Sequence, residues 1–198
     1  MPSVSSAPAR AWLRIALAAS TVAGGCAAYR IDLSVAGPAT LASEPAGYET
    51  AMVTRAIDGD TIAVTVTGRA EGPGAGEAQI GKTYTVRLLG IDTPESVMPN
   101  SPIECFGREA SAAAAAFLTG RNVWLVKDVE EIDSFDRLLR YVYVGPEMAN
   151  ARLVANGYAH AFTYPPNVRH AELFVKLQRD AREGDRGLWA PETCPGDN

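Results

Sequence analysis

The nine residues 87–95, with the sequence RLLGIDTPE, set narrow limits on both the fold and the chemistry of this chain. They begin as a strand and end in a loop held by Pro94. Arg87 stands at one end, and Asp92 and Glu95 stand at the other. Carboxylate oxygens suit calcium or magnesium, and a guanidinium suits phosphate oxygens. The stretch fits a site for a cation and a phosphodiester together, and equally a strand that leads into a turn with solvated acids.

The alternation of side chains along a strand raises a difficulty for one shared site. Arg87 and Asp92 are five positions apart, so a regular strand would place them on opposite faces of the sheet. A bulge or bend between them would remove the conflict, and Gly90 permits one. The sequence therefore predicts an irregular backbone between Gly90 and Asp92.

The segment IDGDT at residues 57–61 predicts a second structural feature, a hairpin. Asp-Gly is typical of tight hairpin turns, and apolar residues alternate on both sides of it. We expect strands at 53–57 and 61–66, with Asp60 at the tip beside the end of a paired strand. The alternative is that both aspartates serve only the turn.

The remaining pattern predicts three more strands and three helices. The strands are expected at 83–89, 122–127 and 138–144, and the helices at 107–118, 147–158 and 169–182. Residues 67–81 hold five glycines and a proline, which favours a flexible, disordered insertion. Five strands, one helix between the third and fourth, and two helices at the end fit an α+β domain with a small closed antiparallel sheet. The pattern does not establish that the sheet closes.

The N-terminal residues 1–28 are predicted to be an export signal, with a signal of the lipoprotein type as one alternative. Arg10 and Arg14 provide positive charge, the alanine-rich run from Trp12 to Ala23 is too short for a comfortable membrane span, and small residues follow. Cys26 resembles a lipid-modified cysteine, with ordinary cleavage after Ala27 or Ala28 as the alternative. An uncleaved anchor also remains open. Residues 29–47 are expected to form a linker, 48–190 one domain, and 191–198 a tail.

Two cysteines remain if Cys26 is removed or lipidated. An even pair in an exported chain favours a disulfide between Cys105 and Cys194, and two separate thiols are the alternative. His160 and His170 are not at metal-ligand spacing, and the sequence has no CxxC motif. A zinc site is therefore not expected.

The formal net charge of -5 argues against a generally basic nucleic-acid binder. It does not exclude a nuclease, because a bound divalent ion and a few arginines can create a local positive site. We expect weak affinity for long nucleic acids and a marked dependence on salt.

A third stretch, Asp136-Arg137-Leu138, leads into the strand at 138–144 and supplies a second arginine. The order of DGDT, RLLGIDTPE and this Asp-Arg pair resembles the staphylococcal nuclease (thermonuclease) family over roughly residues 48–189. The resemblance implies an α+β protein with an OB-fold, a five-stranded β-barrel with three helices, whose loops often bind oligonucleotides.

The resemblance also implies a calcium site. Asp60 and Asp92 match the family's carboxylate ligands of one Ca²⁺, and the backbone carbonyl of Thr93 matches a third ligand. A different divalent ion as the activator is the alternative.

The same resemblance implies catalytic roles. Glu95 would position or deprotonate the attacking water, and Arg87 and Arg137 would neutralise the phosphate. The implied reaction is endonucleolytic and exonucleolytic cleavage of DNA and RNA that leaves 3′-phosphorylated products. The implied protein is a monomer without an obligatory protein partner, either secreted or anchored at the outer face of the bacterial cytoplasmic membrane through a lipid or an uncleaved signal.

The substrate pocket departs from the family pattern. Ser134 and Phe135 stand where the staphylococcal enzyme has lysine and tyrosine, and Asp136 replaces a glycine. Asp136 would either pair with Arg137 or weaken its attraction for phosphate. Two aromatic residues are expected to bind substrate, Tyr164, which the pattern retains, and Phe162, which replaces a tyrosine and can stack but not donate a hydrogen bond.

A non-catalytic OB module that binds nucleic acid or a protein is the rival interpretation, because a fold alone does not determine function. The sequence retains three acids and two arginines at the matching positions. A binding module has no physical reason to keep clustered acids, since they repel phosphate when no metal is present. No serine, cysteine or histidine arrangement indicates a nucleophilic triad.

Overall fold

The computed structural model describes residues 41, 43–96 and 103–194. The predicted export segment 1–28 and Cys26 lie outside these residues. Among the described residues, no helix combines the length and the apolar character that a membrane span requires.

Five longer strands and one short strand form the main sheet. The longer strands are β1 (Tyr48–Ala56), β2 (Thr61–Ala70), β3 (Thr83–Leu88), β5 (Asn122–Val126) and β6 (Leu138–Val144). The short strands are β4 (Ile91–Asp92), β7 (Glu147–Met148) and β8 (His160–Ala161). The helices are α1 (Gly107–Leu118), α2 (Ala149–Ala155) and α3 (Ala171–Glu183), and a 3₁₀ turn spans Gly187–Trp189.

The main sheet closes into a barrel. Its longer strands run in the order β3-β2-β1-β5-β6, and β6 pairs back with β3. The interior side chains and the buried faces of the helices form one hydrophobic core. This architecture confirms the predicted α+β class with a closed five-stranded barrel and three helices.

The expectation of an antiparallel sheet throughout is wrong at the point of closure. β3 and β6 are parallel, with Val86 opposite Leu138 and Leu88 opposite Arg140. These two strands are not joined by a hairpin, because α1 and β5 lie between them in the chain. Strands connected through such a crossover can run in the same direction. The sheet is therefore mixed.

The helix expected at 147–158 is shorter in the structure. Its first two residues form β7, which pairs with the end of β6, so α2 begins only at Ala149. Gly157 has a positive φ of 72°, which ends helical geometry at the other end. The other two helices lie close to the expected positions.

The expectation of a flexible, disordered insertion at residues 67–81 is wrong, because residues 67–70 continue β2 and the glycine-rich segment 71–82 is packed against the barrel. The Gly74 N–H donates to the carbonyl of Ala46, and the Lys127 N–H donates to the carbonyl of Gly74. Ala78 is buried. The glycines allow close approach rather than flexibility: a Cβ on Gly76 would lie 1.9 Å from Nη2 of Arg140.

A buried ion network anchors this segment. Arg140 on β6 and Glu49 on β1 are completely buried and form two hydrogen bonds of 3.0 Å. Arg140 also contacts the side chain of Glu131 and donates to its backbone carbonyl. Glu49 and Glu131 accept the N–H groups of Ala78 and Glu77. Four separate parts of the chain therefore meet at one guanidinium.

The predicted disulfide between Cys105 and Cys194 is present, with an S–S distance of 2.08 Å. It joins the segment before α1 to the end of the described chain, across a sequence separation of 89 residues. Cys194 is buried in the core. The first residues of the predicted tail are thereby fixed to the barrel.

We predict that Arg140→Met lowers the free energy of unfolding by about 3–5 kcal/mol, because Glu49 would stay buried without a counter-charge. Urea denaturation measures the change. Lys127→Met is the matched control, since Lys127 is a partly exposed cation 3.8 Å from Glu131 in the same network and should cost less than about 1 kcal/mol. Equal costs for both variants would contradict this account.

Candidate active site

The strand that carries Arg87 bends sharply after Leu88, as the sequence predicts. Gly90 has a φ of 78°, and the chain resumes as β4 at Ile91, which pairs with β8 instead of continuing β3. A Cβ on Gly90 would lie 2.2 Å from the ring of Phe174. Glycine is therefore required here for two reasons, the positive φ and the close packing.

The bend brings the two ends of the RLLGIDTPE segment together at the Arg87 guanidinium. Nη1 lies 3.0 Å from Oδ2 of Asp60, and Nη2 lies 2.7 Å from Oδ1 of Asp92. Nη1 also donates to the backbone carbonyls of Ile91, at 2.9 Å, and Leu88, at 3.2 Å. One side chain thus braces the bend and bridges two carboxylates from separate segments.

Both carboxylate oxygens of Asp60 accept hydrogen bonds, which is more than a role in the hairpin turn alone would require. Its Oδ2 accepts hydrogen bonds from the backbone N–H and the hydroxyl of Thr93, at 3.0 and 3.1 Å. Its Oδ1 accepts the hydroxyl of Thr61. Only 6% of Asp60 is exposed. The predicted metal residues Asp60, Asp92 and Thr93 therefore lie together.

Asp58 is a site residue that sequence reasoning missed, because the first aspartate of DGDT was interpreted only as turn chemistry. It is buried, and its Oδ1 accepts the Gly59 N–H at 2.7 Å and the Ser96 hydroxyl at 2.6 Å. Burial raises the pKa of the Asp58 carboxyl, and the nearby charges of Asp60 and Glu95 raise it further, while the two hydrogen bonds lower it. The Ser96 bond links the hairpin turn to the residue after Glu95.

Asp92 lies at the open side of the site, with 53% of its side chain exposed. Burial of its inner part raises the pKa of the Asp92 carboxyl, and the charge of Asp60 adds to the rise. Arg87 acts in the opposite direction without cancelling these effects. The ionised form of the Asp92 carboxyl is therefore less favourable than that of a free aspartate, even beside Arg87.

Arg137 is oriented by Asp133 rather than by its chain neighbour Asp136, so the first of the two alternatives for Asp136, a pair with Arg137, is not the arrangement in the described part of the chain. Nε of Arg137 lies 2.6 Å from Oδ2 of Asp133, and the Arg137 N–H donates to Oδ1. The Phe135 ring lies against the guanidinium, at 5.3 Å. Asp136 has a left-handed φ of 59°, which explains why a glycine suits this position in the family pattern.

The five charged residues expected at the site line a single cavity of about 460 Å³. They are Asp60, Arg87, Asp92, Glu95 and Arg137. Asp58 lines the same cavity, so four carboxylates face two guanidiniums, a formal excess of two negative charges. One divalent cation would neutralise this excess.

A second cavity of about 250 Å³ adjoins the first and shares Arg87, Asp92 and Arg137 with it. Three exposed aromatic rings line it: Phe135, Phe162 and Tyr164. The Phe162 N–H donates to the carbonyl of Gly90, so the bend at Gly90 also positions this ring. The two residues expected to bind substrate, Phe162 and Tyr164, thus lie beside the charged cavity.

The donor set of the charged cavity fits a hard divalent cation. Asp60 and Asp92 offer carboxylate oxygens, and neither histidine nor cysteine lines the cavity. Within residues 41, 43–96 and 103–194, no group of three or more His, Cys, Asp or Glu side chains is arranged as a complete metal site. A cation here would therefore depend on the two aspartates together with backbone or water oxygens.

The structure defines a small closed barrel whose acids and arginines converge on one side, a combination suited to phosphate and a cation. A family model described as "Staphylococcal nuclease homologue" matches residues 85–191, which is more than half of the chain. The chain belongs to the staphylococcal nuclease family.

Individual relatives extend this match toward the N-terminus. The thermonuclease of Staphylococcus intermedius is 37% identical over 153 residues, which cover 77% of this chain and 83% of that protein. The thermonuclease of Staphylococcus hyicus is 37% identical over 145 residues, covering 73% and 78%. Endonuclease YncB of Bacillus subtilis is 32% identical over 138 residues, covering 69% and 59%.

We predict that Gly90→Ala destabilises the protein more than Gly120→Ala. Both glycines have positive φ, but a Cβ on Gly120 would meet nothing within 4 Å. Gly120→Ala should therefore cost only the backbone strain, about 1–2 kcal/mol. Gly90→Ala should cost about 1–3 kcal/mol more, because Phe174 must move. Urea denaturation of both variants measures the difference, and equal costs would show that the bend is not packed as described.

Proposed function

We propose that the protein is an extracellular, Ca²⁺-dependent nuclease that hydrolyses DNA and RNA to 3′-phosphorylated products. The observation that carries the proposal is the convergence of Asp60, Arg87, Asp92, Glu95 and Arg137 on one cavity. These residues come from separate parts of the chain, and a fold without a shared chemical task has no reason to bring them together. The thermonuclease and endonuclease relatives support the same reaction.

In this proposal Asp60 and Asp92 bind calcium together with the Thr93 carbonyl. The bound ion supplies positive charge to the phosphodiester. Thr93 donates two hydrogen bonds to Asp60, which hold that carboxylate in one orientation. The excess of acids over arginines in the cavity supports a divalent ion rather than phosphate binding by the protein alone.

Arg87 and Arg137 bind the phosphate. Arg87 lies within 3.0 Å of two carboxylates, and phosphate oxygens are equivalent acceptors for the same fork. Arg137 is held by Asp133 through one edge of its guanidinium, at Nε. As negative charge develops on the phosphoryl oxygens, these two cations stabilise it.

Glu95 accepts a proton from the attacking water. Asp58, Asp60 and Asp92 line the same cavity, so the Glu95 carboxylate lies beside the proposed cation site, where the attacking water would be bound. The water attacks phosphorus, the bond to the 5′-oxygen breaks, the 5′-oxygen takes up a proton from solvent and leaves as a hydroxyl, and the phosphate stays on the 3′ side. The rings of Phe135, Phe162 and Tyr164 stack on the adjacent bases, a contact that tolerates any base.

The extracellular location rests on the predicted export segment 1–28 and on the disulfide, which is typical of oxidising compartments. Lipidation at Cys26 would anchor the enzyme at the outer face of the cytoplasmic membrane, and cleavage after Ala27 or Ala28 would release it. The barrel makes the same catalytic site in both cases, so the choice does not affect the chemistry.

The direct test is digestion of single-stranded and double-stranded DNA and RNA by the purified protein, with calcium, with magnesium, or with a chelator. We expect cleavage with calcium and none with the chelator, and end-group analysis should find 3′-phosphates. Binding without cleavage under every condition would instead support the non-catalytic OB module. Activity with magnesium but not calcium would overturn the assignment of the activating ion.

Two substitutions test the catalytic roles. Glu95→Gln should lower kcat by about 10²–10⁴, the usual effect of losing a general base, and Arg87→Ala should lower it by about 10²–10³. Glu71→Gln and Arg121→Ala are matched controls, because both residues are exposed and line neither cavity. Circular dichroism should show that all four variants fold. If Glu95→Gln or Arg87→Ala had the same kcat as the unsubstituted protein, the catalytic role proposed for that residue would be refuted.

Calcium binding has a readout that does not depend on activity. Saturating calcium should raise the melting temperature of the parent, and at a concentration 100 times the dissociation constant the stabilisation is about 2.7 kcal/mol. Asp92→Asn should lose this shift, because only one of the two paired carboxylates would remain. An equal shift in parent and variant would place the ion elsewhere.

A further inference from the structure

The backbone of Glu95 is held on both sides by one residue, Glu104. Oε2 of Glu104 accepts the Glu95 N–H at 2.9 Å, and the Glu104 N–H donates to the Glu95 carbonyl, also at 2.9 Å. The start of α1 packs closely against the same peptide, since a Cβ on Gly107 would lie 2.6 Å from the Glu95 carbonyl oxygen. The position of Glu95 therefore depends on where the segment before α1 lies.

That segment adopts a constrained conformation. Phe106 has a left-handed φ of 68°, which is rare for an aromatic residue. Its ring is buried and stacks on Tyr158, with centroids 5.6 Å apart. Such a conformation persists only where the surroundings enforce it.

The disulfide is the covalent part of these surroundings. Cys105 lies between Glu104 and Phe106 and is bonded to Cys194, which is buried in the core. The bond ties the residue next to Glu104 to a side chain that packs in the hydrophobic core. Because Cys105 is exposed, a thiol reagent can reach its sulfur.

We propose that Glu104 is a positioning residue for Glu95, and that the Cys105–Cys194 disulfide holds Glu104 in place, so that reduction by a dithiol lowers turnover. The inference rests on the proposed function, because it requires Glu95 to act on the attacking water. With the bond reduced, the segment before α1 loses its covalent tie, and the two hydrogen bonds to the Glu95 backbone weaken.

The chemistry of reduction is ordinary thiol–disulfide exchange. A thiolate of the dithiol attacks Sγ of Cys105, the bond to Cys194 breaks, and Cys194 leaves as a thiolate that takes up a proton. The second thiol of the reagent then attacks the mixed disulfide and releases Cys105 as a thiol. The protein gains two electrons and two protons, and the dithiol becomes a cyclic disulfide.

The experiment measures kcat and KM on a short oligonucleotide with calcium, at a temperature well below all melting transitions. The samples are the oxidised parent, the parent treated with dithiothreitol, and the C105S/C194S double variant with and without dithiothreitol. We expect reduction and the double substitution each to lower kcat by about 10- to 100-fold, the cost of a small misplacement of a reacting group. KM should stay unchanged, and the double variant should not respond to dithiothreitol.

Variants of Glu104 separate positioning from general stability. Glu104→Ala removes the acceptor for the Glu95 N–H and should lower kcat to a similar degree, whereas Glu104→Gln retains an acceptor oxygen and should recover most of it. In the C105S/C194S background, Glu104→Ala should add little, because both changes release the same contact. Amide hydrogen exchange of Glu95, followed by NMR, should be slow in the oxidised parent and in Glu104→Gln, and fast after reduction.

The outcomes distinguish the inference from the function on which it rests. If the parent does not cleave, or Glu95→Gln keeps the parent kcat, the proposed function fails and the inference fails with it. If the parent cleaves through Glu95 but reduction leaves kcat or the Glu95 exchange rate unchanged, only the inference is overturned. A change in KM alone would overturn it as well.

Discussion

The guanidinium of Arg87 is the point on which the rest of the site depends. It donates to two backbone carbonyls of the bend that follows its own strand, and it lies within 3.0 Å of Asp60 and 2.7 Å of Asp92. Without the bend, Asp92 would lie on the opposite face of the sheet. Without Arg87, the two aspartates would repel each other in a partly buried position. The geometry of the bend and the arrangement of the acids are therefore set by the same few contacts.

The balance of charge in the cavity explains why this site suits a divalent cation together with a phosphodiester. Four carboxylates and two guanidiniums line the cavity, so the site is short of positive charge until a divalent cation enters, and a phosphodiester can bind only once that charge is supplied. Burial raises the pKa of the Asp58 and Asp92 carboxyls, and the charge of the neighbouring Asp60 raises both pKa values further. A net acidic protein can in this way act on a polyanion.

Much of the fold and of the site follows from local sequence patterns. The hairpin before β3, the break at Gly90 and the pairing of Cys105 with Cys194 were all predictable from turn chemistry, strand alternation and cysteine counting. The parallel closure and the packing of segment 71–82 were not, because both depend on contacts between distant parts of the chain. The residues that orient the site residues could not be predicted for the same reason. The sequence alone does not show that the Glu104 carboxylate accepts the backbone N–H of Glu95.

The most direct measurement is a crystal structure of the Glu95→Gln variant with calcium and a short oligonucleotide, in which cleavage is too slow to remove the substrate. The account predicts one cation between Asp60 and Asp92, with a phosphodiester in contact with both Arg87 and Arg137 in the same cavity. A cation bound elsewhere, or a phosphate that lies away from the two arginines while Arg87 stays bonded to both aspartates, would contradict it.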